Sequence, residues 1–141
     1  VRGVVVEQHA KLVAPRTLLP PSLDGWPVEV RHRIDDVVDH VDVLYMLRVQ
    51  RERMDDGLLP SLAEYSAHFG LDAVRAARLA PHALVMHPGP MNRGVEMVVD
   101  PAEVPGAVIL DQVTNGVAVR MAVLFTLLGQ GAEHNLRGDA S

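Results

Sequence analysis

Short apolar segments alternate with helix-like segments along most of this chain. Residues 42–47 give the clearest strand prediction, because an almost uninterrupted apolar run is typical of a parallel strand covered on both faces. A second apolar run at residues 83–86 predicts another short buried strand. Weaker strand predictions fall on residues 12–14, on residues 26–30, and on residues 4–6, where polar residues follow at once. The alternation of strands with helices predicts an α/β fold with a parallel sheet, flanking helices and right-handed crossovers.

Two helices are predicted between residues 34 and 70. Apolar side chains at helical spacing indicate a short amphipathic helix over residues 34–40. A capping-box pattern begins the other helix, since the Ser61 hydroxyl and the Glu64 carboxylate can satisfy N–H groups of its first turn. This helix is expected to run to about Phe69 and to end at Gly70.

Further helices are predicted in the second half of the chain. Asp72 is placed to cap a helix that reaches Leu79. Most of residues 115–128 form one long, largely apolar helical pattern. After it, the segment 129–141 is expected to be a flexible tail.

Composition narrows the class of protein. The formal net charge of -5 argues against nucleic-acid binding, and the absence of cysteine excludes disulfides and thiolate metal sites. No apolar run reaches the roughly 18 residues that span a bilayer, and the N-terminus is too short and polar for a secretory signal. We therefore expect a cytoplasmic protein without membrane contact. The chain begins with Val, which suggests a truncated or processed chain, or an unusual start.

The most unusual stretch is the Pro-rich bend, defined as residues 87–90 (His-Pro-Gly-Pro), directly after the 83–86 strand. Pro88 and Pro90 fix their own φ angles and restrict the residues before them. Neither has an N–H group, so the bend has more acceptors than donors and its carbonyl groups are expected to point outward. A simple rigid turn is the alternative interpretation. The position at the carboxyl end of a strand favours ligand binding, as in other open α/β sheets.

A cationic segment follows the other clear strand. Arg48, Gln50 and Arg53 suit recognition of a carboxylate, because a guanidinium group binds two oxygens at once and an amide adds a further hydrogen bond. The alternative is a solvated charge cluster in which residues 51–53 pair among themselves. Both strand ends should lie at one edge of the sheet, which predicts a binding site there.

Other polar residues have more structural interpretations. Arg93 and Glu96 are predicted to pair across the loop and hold its shape. His87 is the one histidine placed for function, with a packed orienting role as its alternative. The seven histidines lack the spacing of a metal site, and the chain contains no phosphate-cradling glycine loop and no nucleophile elbow. We therefore predict no metal and no cofactor.

Three motifs, in this order, resemble the aspartate carbamoyltransferases. They are Tyr-Met-Leu-Arg-Val-Gln-Arg-Glu-Arg at residues 45–53, His-Pro-Gly-Pro-Met-Asn-Arg-Gly-Val-Glu at residues 87–96, and Gln-Val-Thr-Asn-Gly-Val-Ala-Val-Arg-Met-Ala at residues 112–122. The resemblance covers residues 11–128, and residues 1–10 match poorly. Proline in the second position of the bend indicates the aspartate branch, because ornithine carbamoyltransferases usually have cysteine there.

The resemblance implies a Rossmann-like aspartate-binding domain and a reaction of de novo pyrimidine synthesis. In that reaction the amine of L-aspartate attacks carbamoyl phosphate and gives carbamoyl-aspartate and phosphate. By this likeness Arg48 and Gln50 hold the aspartate carboxylates. The backbone of Pro88, Gly89 and Pro90 accepts hydrogen bonds from the carbamoyl amino group. The family needs no metal at its active site.

The chain also departs from the family pattern. The N-terminal carbamoyl-phosphate domain is absent, with its Ser-Thr-Arg-Thr motif and catalytic lysine loop, so the isolated chain is expected to be inactive. Arg120, on the terminal helix, would tie the two domains together. Without the second domain, Val119, Val123 and Leu127 are expected to be exposed, which predicts self-association.

Two alternatives stay open at this point. One is a non-catalytic remnant or an amino-acid- or anion-binding module of the same fold. The other is a related carbamoyltransferase that acts on another amine. For the complete enzyme the resemblance implies a homotrimer with shared active sites, and a regulatory or dihydroorotase partner is also compatible with it.

Overall fold

The computed structural model describes residues 10–50 and 61–136. Four strands and three α-helices occur there in the order β1, β2, β3, α1, α2, β4, α3. They are β1 Ala10–Val13, β2 Val28–Arg31, β3 Val43–Tyr45, α1 Leu62–Phe69, α2 Ala73–Ala76, β4 Leu84–Met86 and α3 Ile109–Leu136. Short 3-10 turns lie at Arg16–Leu18, Ile34–Asp36, Val38–His40 and Pro101–Glu103. The strand prediction at residues 4–6 and the charged segment 51–53 lie outside the described residues.

The described strands pair in parallel, which confirms the α/β prediction, but they form two small sheets instead of one. β1 pairs with β2, and β3 pairs with β4 with Leu44 opposite Val85. A cleft separates the two sheets, and Lys11 of β1, Tyr45 of β3 and Asp42 line it.

The predicted helix over residues 34–40 is wrong in type. The structure has two 3-10 turns in its place, closed by hydrogen bonds from the Val37 N–H to the Ile34 carbonyl at 3.1 Å and from the His40 N–H to the Val37 carbonyl at 2.9 Å. The apolar side chains at this spacing still pack into the interior, since Ile34, Val37 and Val38 are all buried. β-branched residues lose side-chain freedom in an α-helix, which favours the shorter turns here.

The caps of α1 and α2 confirm the predicted helix starts. The Ser61 hydroxyl accepts from the Glu64 N–H at 3.2 Å, and Gly70 ends α1. Asp72 accepts from the Arg75 N–H at 2.8 Å at the start of α2.

The predicted end of α2 at Leu79 is wrong, because regular helix stops at Ala76. The residues after it form a tighter turn, in which the Leu79 N–H donates to the carbonyl of Ala76, three residues earlier, at 3.3 Å. Such a step is typical of the last turn of a helix.

α3 is longer than predicted at both ends. It begins at Ile109 and continues through Leu136, so the first part of the segment predicted to be a flexible tail is helical. Glycine lowers helix propensity by only about 1 kcal/mol, and a long helix tolerates that. None of the described helices is both long and apolar enough to cross a membrane.

The main core lies between the β3–β4 pair, the 3-10 turns and the segment after α1. The loop after β4 and the start of α3 also contribute to it. Its members are buried apolar side chains: Ile34, Val38, Leu44, Met46, Leu71, Val85, Met97, Val99, Val104 and Ile109. β3 is buried on one side only, since Val43 and Tyr45 are 48% and 47% exposed. The expectation that this strand is covered on both faces is therefore wrong for this chain. Its neighbour β4 gains a second partner in Gly106, whose carbonyl accepts from the Val85 N–H at 2.8 Å.

An ion-pair network fastens α1 and α2 to the 3-10 turns. The guanidinium of buried Arg75 binds both carboxylate oxygens of Asp35, at 3.0 and 2.7 Å, and donates to the Gly70 carbonyl at 2.7 Å. Arg78 binds both oxygens of Asp39 and one of Asp35. The hydrogen bond from Arg75 is the main cause that lowers the pKa of Asp35 below its usual 3.8.

Asp35→Asn should lower the free energy of unfolding by about 2 kcal/mol near neutral pH. Loss of one partner leaves the charge of Arg75 buried and unpaired, and the partial exposure of Asp35 moderates the cost. Because the folded-state pKa is lowered, this contribution is present above about pH 4 and is lost as pH falls through the folded-state pKa. Urea unfolding at several pH values tests it, with Asp36→Asn as the control of equal charge change. Equal effects of the two variants would contradict the role of the network.

Gly106 and Gly116 differ in the space that an added Cβ would meet, so the same substitution at the two positions can be compared. A Cβ on Gly106 would lie 2.0 Å from the Ala83 carbonyl oxygen, whereas one on Gly116 would meet nothing within 4 Å. Gly106→Ala should therefore destabilise the chain by roughly 1–3 kcal/mol, because backbone must shift. Gly116→Ala should stabilise it by about 1 kcal/mol through helix propensity. Chemical denaturation of both variants measures the difference, and the reverse order would refute the packing described here.

Candidate functional site

The parallel pairing of β3 and β4 brings the two predicted segments to one edge. The Met46 N–H donates to the Met86 carbonyl at 2.8 Å, so the chains leave the pair side by side. Beyond the strands, the Asn92 side chain donates to the Val49 carbonyl at 2.9 Å. Arg48 and Gln50, on either side of buried Val49, are half-buried. The structure therefore brings Arg48 and Gln50 to the same edge as the Pro-rich bend, as the sequence predicted, while Arg53 lies outside the described residues.

The Pro-rich bend directs its N–H groups inward. The His87 N–H donates to the Gln112 side-chain oxygen at 3.0 Å, and the Gly89 N–H donates to His87 Nδ1 at 2.9 Å. Gly89 has φ +61°, and its peptide bond to Pro90 is cis. Among the hydrogen bonds described for this part of the chain, none uses the carbonyls of Pro88, Gly89 or Pro90 as acceptors. The arrangement agrees with an acceptor-rich bend at a strand end.

Beneath the bend lies a buried polar pair. His87 and Glu96 are both 0% exposed, and His87 Nε2 lies 3.3 Å from Glu96 Oε1. The same oxygen accepts from the Asn92 N–H at 2.5 Å. Glu96 Oε2 is buried and has no hydrogen-bond partner among the described residues. The carboxylate thus holds two points of the loop that follows β4.

The predicted pair between Arg93 and Glu96 is wrong. Arg93 instead donates to Asp100 at 2.9 Å, at the surface of the loop. The two side chains leave the loop in opposite directions, because the Glu96 carboxylate turns into the interior while Arg93 is exposed. Hydrogen bonds from the Ala102 N–H and from Arg93 lower the pKa of Asp100.

Sequence reasoning missed two polar residues that support this site. Gln112, in the first turn of α3, joins the bend to β3, because its amide nitrogen donates to the Tyr45 hydroxyl at 2.8 Å. Asn92 joins the bend to the cationic segment. Both residues lie within the motifs named in the sequence, Gln112 at the start of residues 112–122 and Asn92 within residues 87–96. Arg120 lies two turns further along α3 and is exposed, and its interdomain role stays a prediction.

The pKa of Tyr65, a residue of α1, is shifted by its surroundings, which include the charge of Glu96. Burial, and then the negative charge of Glu96, raise the pKa of Tyr65 to about 12. α1 therefore packs close to the carboxylate that holds the loop.

The free energy of unfolding should fall between pH 10 and pH 12, because the unfolded chain ionises this phenol before the folded chain does. The slope from Tyr65 alone is about 1.4 kcal/mol per pH unit. Tyr65→Phe should remove that part of the slope in denaturation experiments. Tyr45→Phe, which removes an exposed phenol, is the control, and the same pH dependence in both variants would contradict the assignment.

Polar groups at the carboxyl ends of parallel strands are typical of α/β domains that bind ligands at that edge of the sheet. A sequence profile of the family described as aspartate/ornithine carbamoyltransferase, Asp/Orn binding domain, matches residues 21–127. The chain belongs to that family. The resemblance read from the three motifs is therefore confirmed.

Individual relatives agree with the profile. The aspartate carbamoyltransferase catalytic subunit of Beutenbergia cavernae is 55% identical over 123 residues, which cover 86% of this chain and 37% of that protein. The catalytic subunit of a Nocardioides species is 57% identical over 118 residues, covering 84% of this chain and 36% of that protein. The chain thus spans less than two fifths of the length of these relatives.

Solved structures show the same likeness. The aspartate transcarbamoylase of Trypanosoma cruzi in complex with carbamoyl aspartate and phosphate is similar with a TM-score of 0.69 and 31% identity, covering 82% of this chain and 39% of that chain. Its ligand-free form is similar with a TM-score of 0.66 and 28% identity, over 82% of this chain and 38% of that chain.

Proposed function

We propose that this chain supplies the aspartate-binding half of an enzyme that transfers the carbamoyl group of carbamoyl phosphate to the amine of L-aspartate. The products are carbamoyl-aspartate and phosphate, for de novo pyrimidine synthesis in the cytoplasm. One observation carries the proposal. The side chain of Asn92, two residues after the Pro-rich bend, donates to the carbonyl of Val49, which lies between Arg48 and Gln50. The Trypanosoma cruzi structure that contains carbamoyl aspartate and phosphate supports the same reaction.

Each part of the edge has a role in the proposal. The Arg48 guanidinium binds an aspartate carboxylate through two parallel hydrogen bonds, and Gln50 adds a further donor. The carbonyls of Pro88, Gly89 and Pro90 accept from the carbamoyl amino group. This places the amine next to the carbamoyl carbon, and such positioning removes much of the entropic barrier of a two-substrate reaction. Groups outside this chain stabilise the negative charge that develops on the phosphate. The proposed reaction uses no metal and no cofactor.

The proposal includes a partner that binds carbamoyl phosphate. The exposed apolar face of α3 is its proposed docking surface, since Val119, Val123 and Leu127 are 61%, 51% and 70% exposed. Arg120 lies on the same helix and would tie the two domains together. The complete enzyme is proposed to be a homotrimer, with a regulatory or dihydroorotase protein as a further partner.

A second candidate function is a non-catalytic module that binds an amino acid or an anion. The chain spans 37% and 36% of the length of two relatives that are named as catalytic subunits, so their activity carries over to this polypeptide only as a proposal. For the isolated polypeptide we propose no turnover.

A chimera tests the proposed function. Residues 11–128 replace the matching region of the Beutenbergia cavernae catalytic subunit, and carbamoyl-aspartate formation is measured against the parent enzyme. We expect turnover with L-aspartate and none with L-ornithine. A folded, assembled chimera without turnover would refute the proposal and favour the non-catalytic module. Turnover with another amine alone would identify a related carbamoyltransferase.

Arg48→Ala in this chimera should weaken aspartate binding by about 2–3 kcal/mol, the usual scale for loss of a charge-assisted clamp. The KM for aspartate should rise by roughly 30- to 150-fold, while the KM for carbamoyl phosphate changes little. Arg33→Ala is the matched control, because Arg33 is exposed and lies directly before the 3-10 turn Ile34–Asp36, outside the segments that follow β3 and β4. An unchanged KM for aspartate in Arg48→Ala would remove Arg48 from the site.

A further inference from the structure

The tautomer of His87 follows from its hydrogen bonds. The Gly89 N–H donates to Nδ1 at 2.9 Å. A peptide N–H group is a donor only, so Nδ1 must present its lone pair and cannot hold a proton. The ring proton therefore lies on Nε2, and Nε2 donates to Glu96 Oε1 at 3.3 Å.

Glu96 completes a continuous path of hydrogen bonds beneath the bend. Its Oε1 accepts from His87 on one side and from the Asn92 N–H on the other. The side chain of Asn92 extends the path to the Val49 carbonyl. Every link from Gly89 to Val49 is thus a described hydrogen bond, and both side chains of the central pair are fully buried.

We infer that His87 and Glu96 are a positioning pair, which aims the carbonyls of Pro88, Gly89 and Pro90 at the carbamoyl amino group. The inference rests on the proposed function and adds two residues to it. Neither side chain touches substrate, since both are buried beneath the bend. The pair acts by consuming the inward N–H groups of Gly89 and Asn92, which leaves the backbone carbonyls as the groups that face the ligand.

The two ring nitrogens can be tested separately. An asparagine side-chain oxygen takes the place of Nδ1 and can accept from the Gly89 N–H. A glutamine side-chain amide takes the place of Nε2 and can donate to Glu96, but it gives Gly89 no acceptor. His87→Asn therefore keeps the link to the bend, and His87→Gln keeps the link to the carboxylate. The same two substitutions at exposed His82, which contacts Asp42, are the matched controls.

The first test uses the 141-residue chain and needs no substrate. Long-range nitrogen–proton NMR spectra of the histidine rings should show His87 with an unprotonated Nδ1 and a protonated Nε2. Hydrogen exchange of the Gly89 amide should be slow in the wild type and in His87→Asn, and about tenfold faster or more in His87→Gln. A protonated Nδ1, or equal exchange in both variants, would overturn the inference.

The second test measures kinetics in the chimera. His87→Gln should raise the KM for carbamoyl phosphate by about tenfold or more, as expected for loss of a buried hydrogen bond that orients the bend. His87→Asn should raise it less, and the KM for aspartate should change less in both. The His82 variants should match the wild type. Equal losses in both His87 variants, for both substrates, would indicate a purely structural role and overturn the inference.

The two proposals can fail separately. A wild-type chimera without turnover refutes the proposed function and, with it, the assignment of the carbamoyl group as the target of the bend. The NMR and exchange results on the intact chain still decide whether the pair fixes the bend. Turnover of the wild-type chimera together with a protonated Nδ1 refutes the positioning pair alone.

Discussion

The parallel pairing of β3 with β4 is the constraint on which the rest of the structure depends. Leu44 lies opposite Val85, and the ladder continues to the hydrogen bond between Met46 and Met86. Parallel strands end at the same edge, so this register places the segment of Arg48 next to the bend that begins at His87. A shift of one residue would turn each side chain of β3 to the other face and remove Leu44 from the core.

Buried polar groups stabilise the arrangement only because they are nearly all paired. A carboxylate as deeply buried as Glu96 would be strongly destabilising alone. It accepts two hydrogen bonds, and the neutral imidazole of His87 accepts one and donates one. Arg75 is also buried and paired, because Asp35 and the carbonyl groups at the end of α1 accept hydrogen bonds from its guanidinium. Both clusters fix the backbone at points where no strand or helix ladder could do so.

The surface of β3 and α3 shows how one-sided the burial is. Val43 and Tyr45 point away from the core, and α3 carries a row of exposed apolar side chains. Exposed apolar faces of this extent mark contact surfaces in many proteins.

Local chemistry in the sequence was enough to predict several elements and part of the site. Ser61 and Asp72 cap their helices because a short polar side chain before an apolar pattern satisfies the first free N–H groups. The apolar runs of β3 and β4 and the polar residues after them were sufficient to place Arg48, Gln50 and the bend at one edge. These features depend on residues close together in sequence or on the general geometry of parallel strands.

Only the tertiary structure decided the partners of the polar side chains. Spacing alone paired Arg93 with Glu96, yet the backbone turns Glu96 into the core towards His87 and leaves Arg93 outside with Asp100. The sequence by itself determined the strand pattern, the helix starts and the chemistry at the strand ends, because these follow from local propensity and period. The tertiary structure determined which groups meet, because direction and burial depend on segments far apart in the chain.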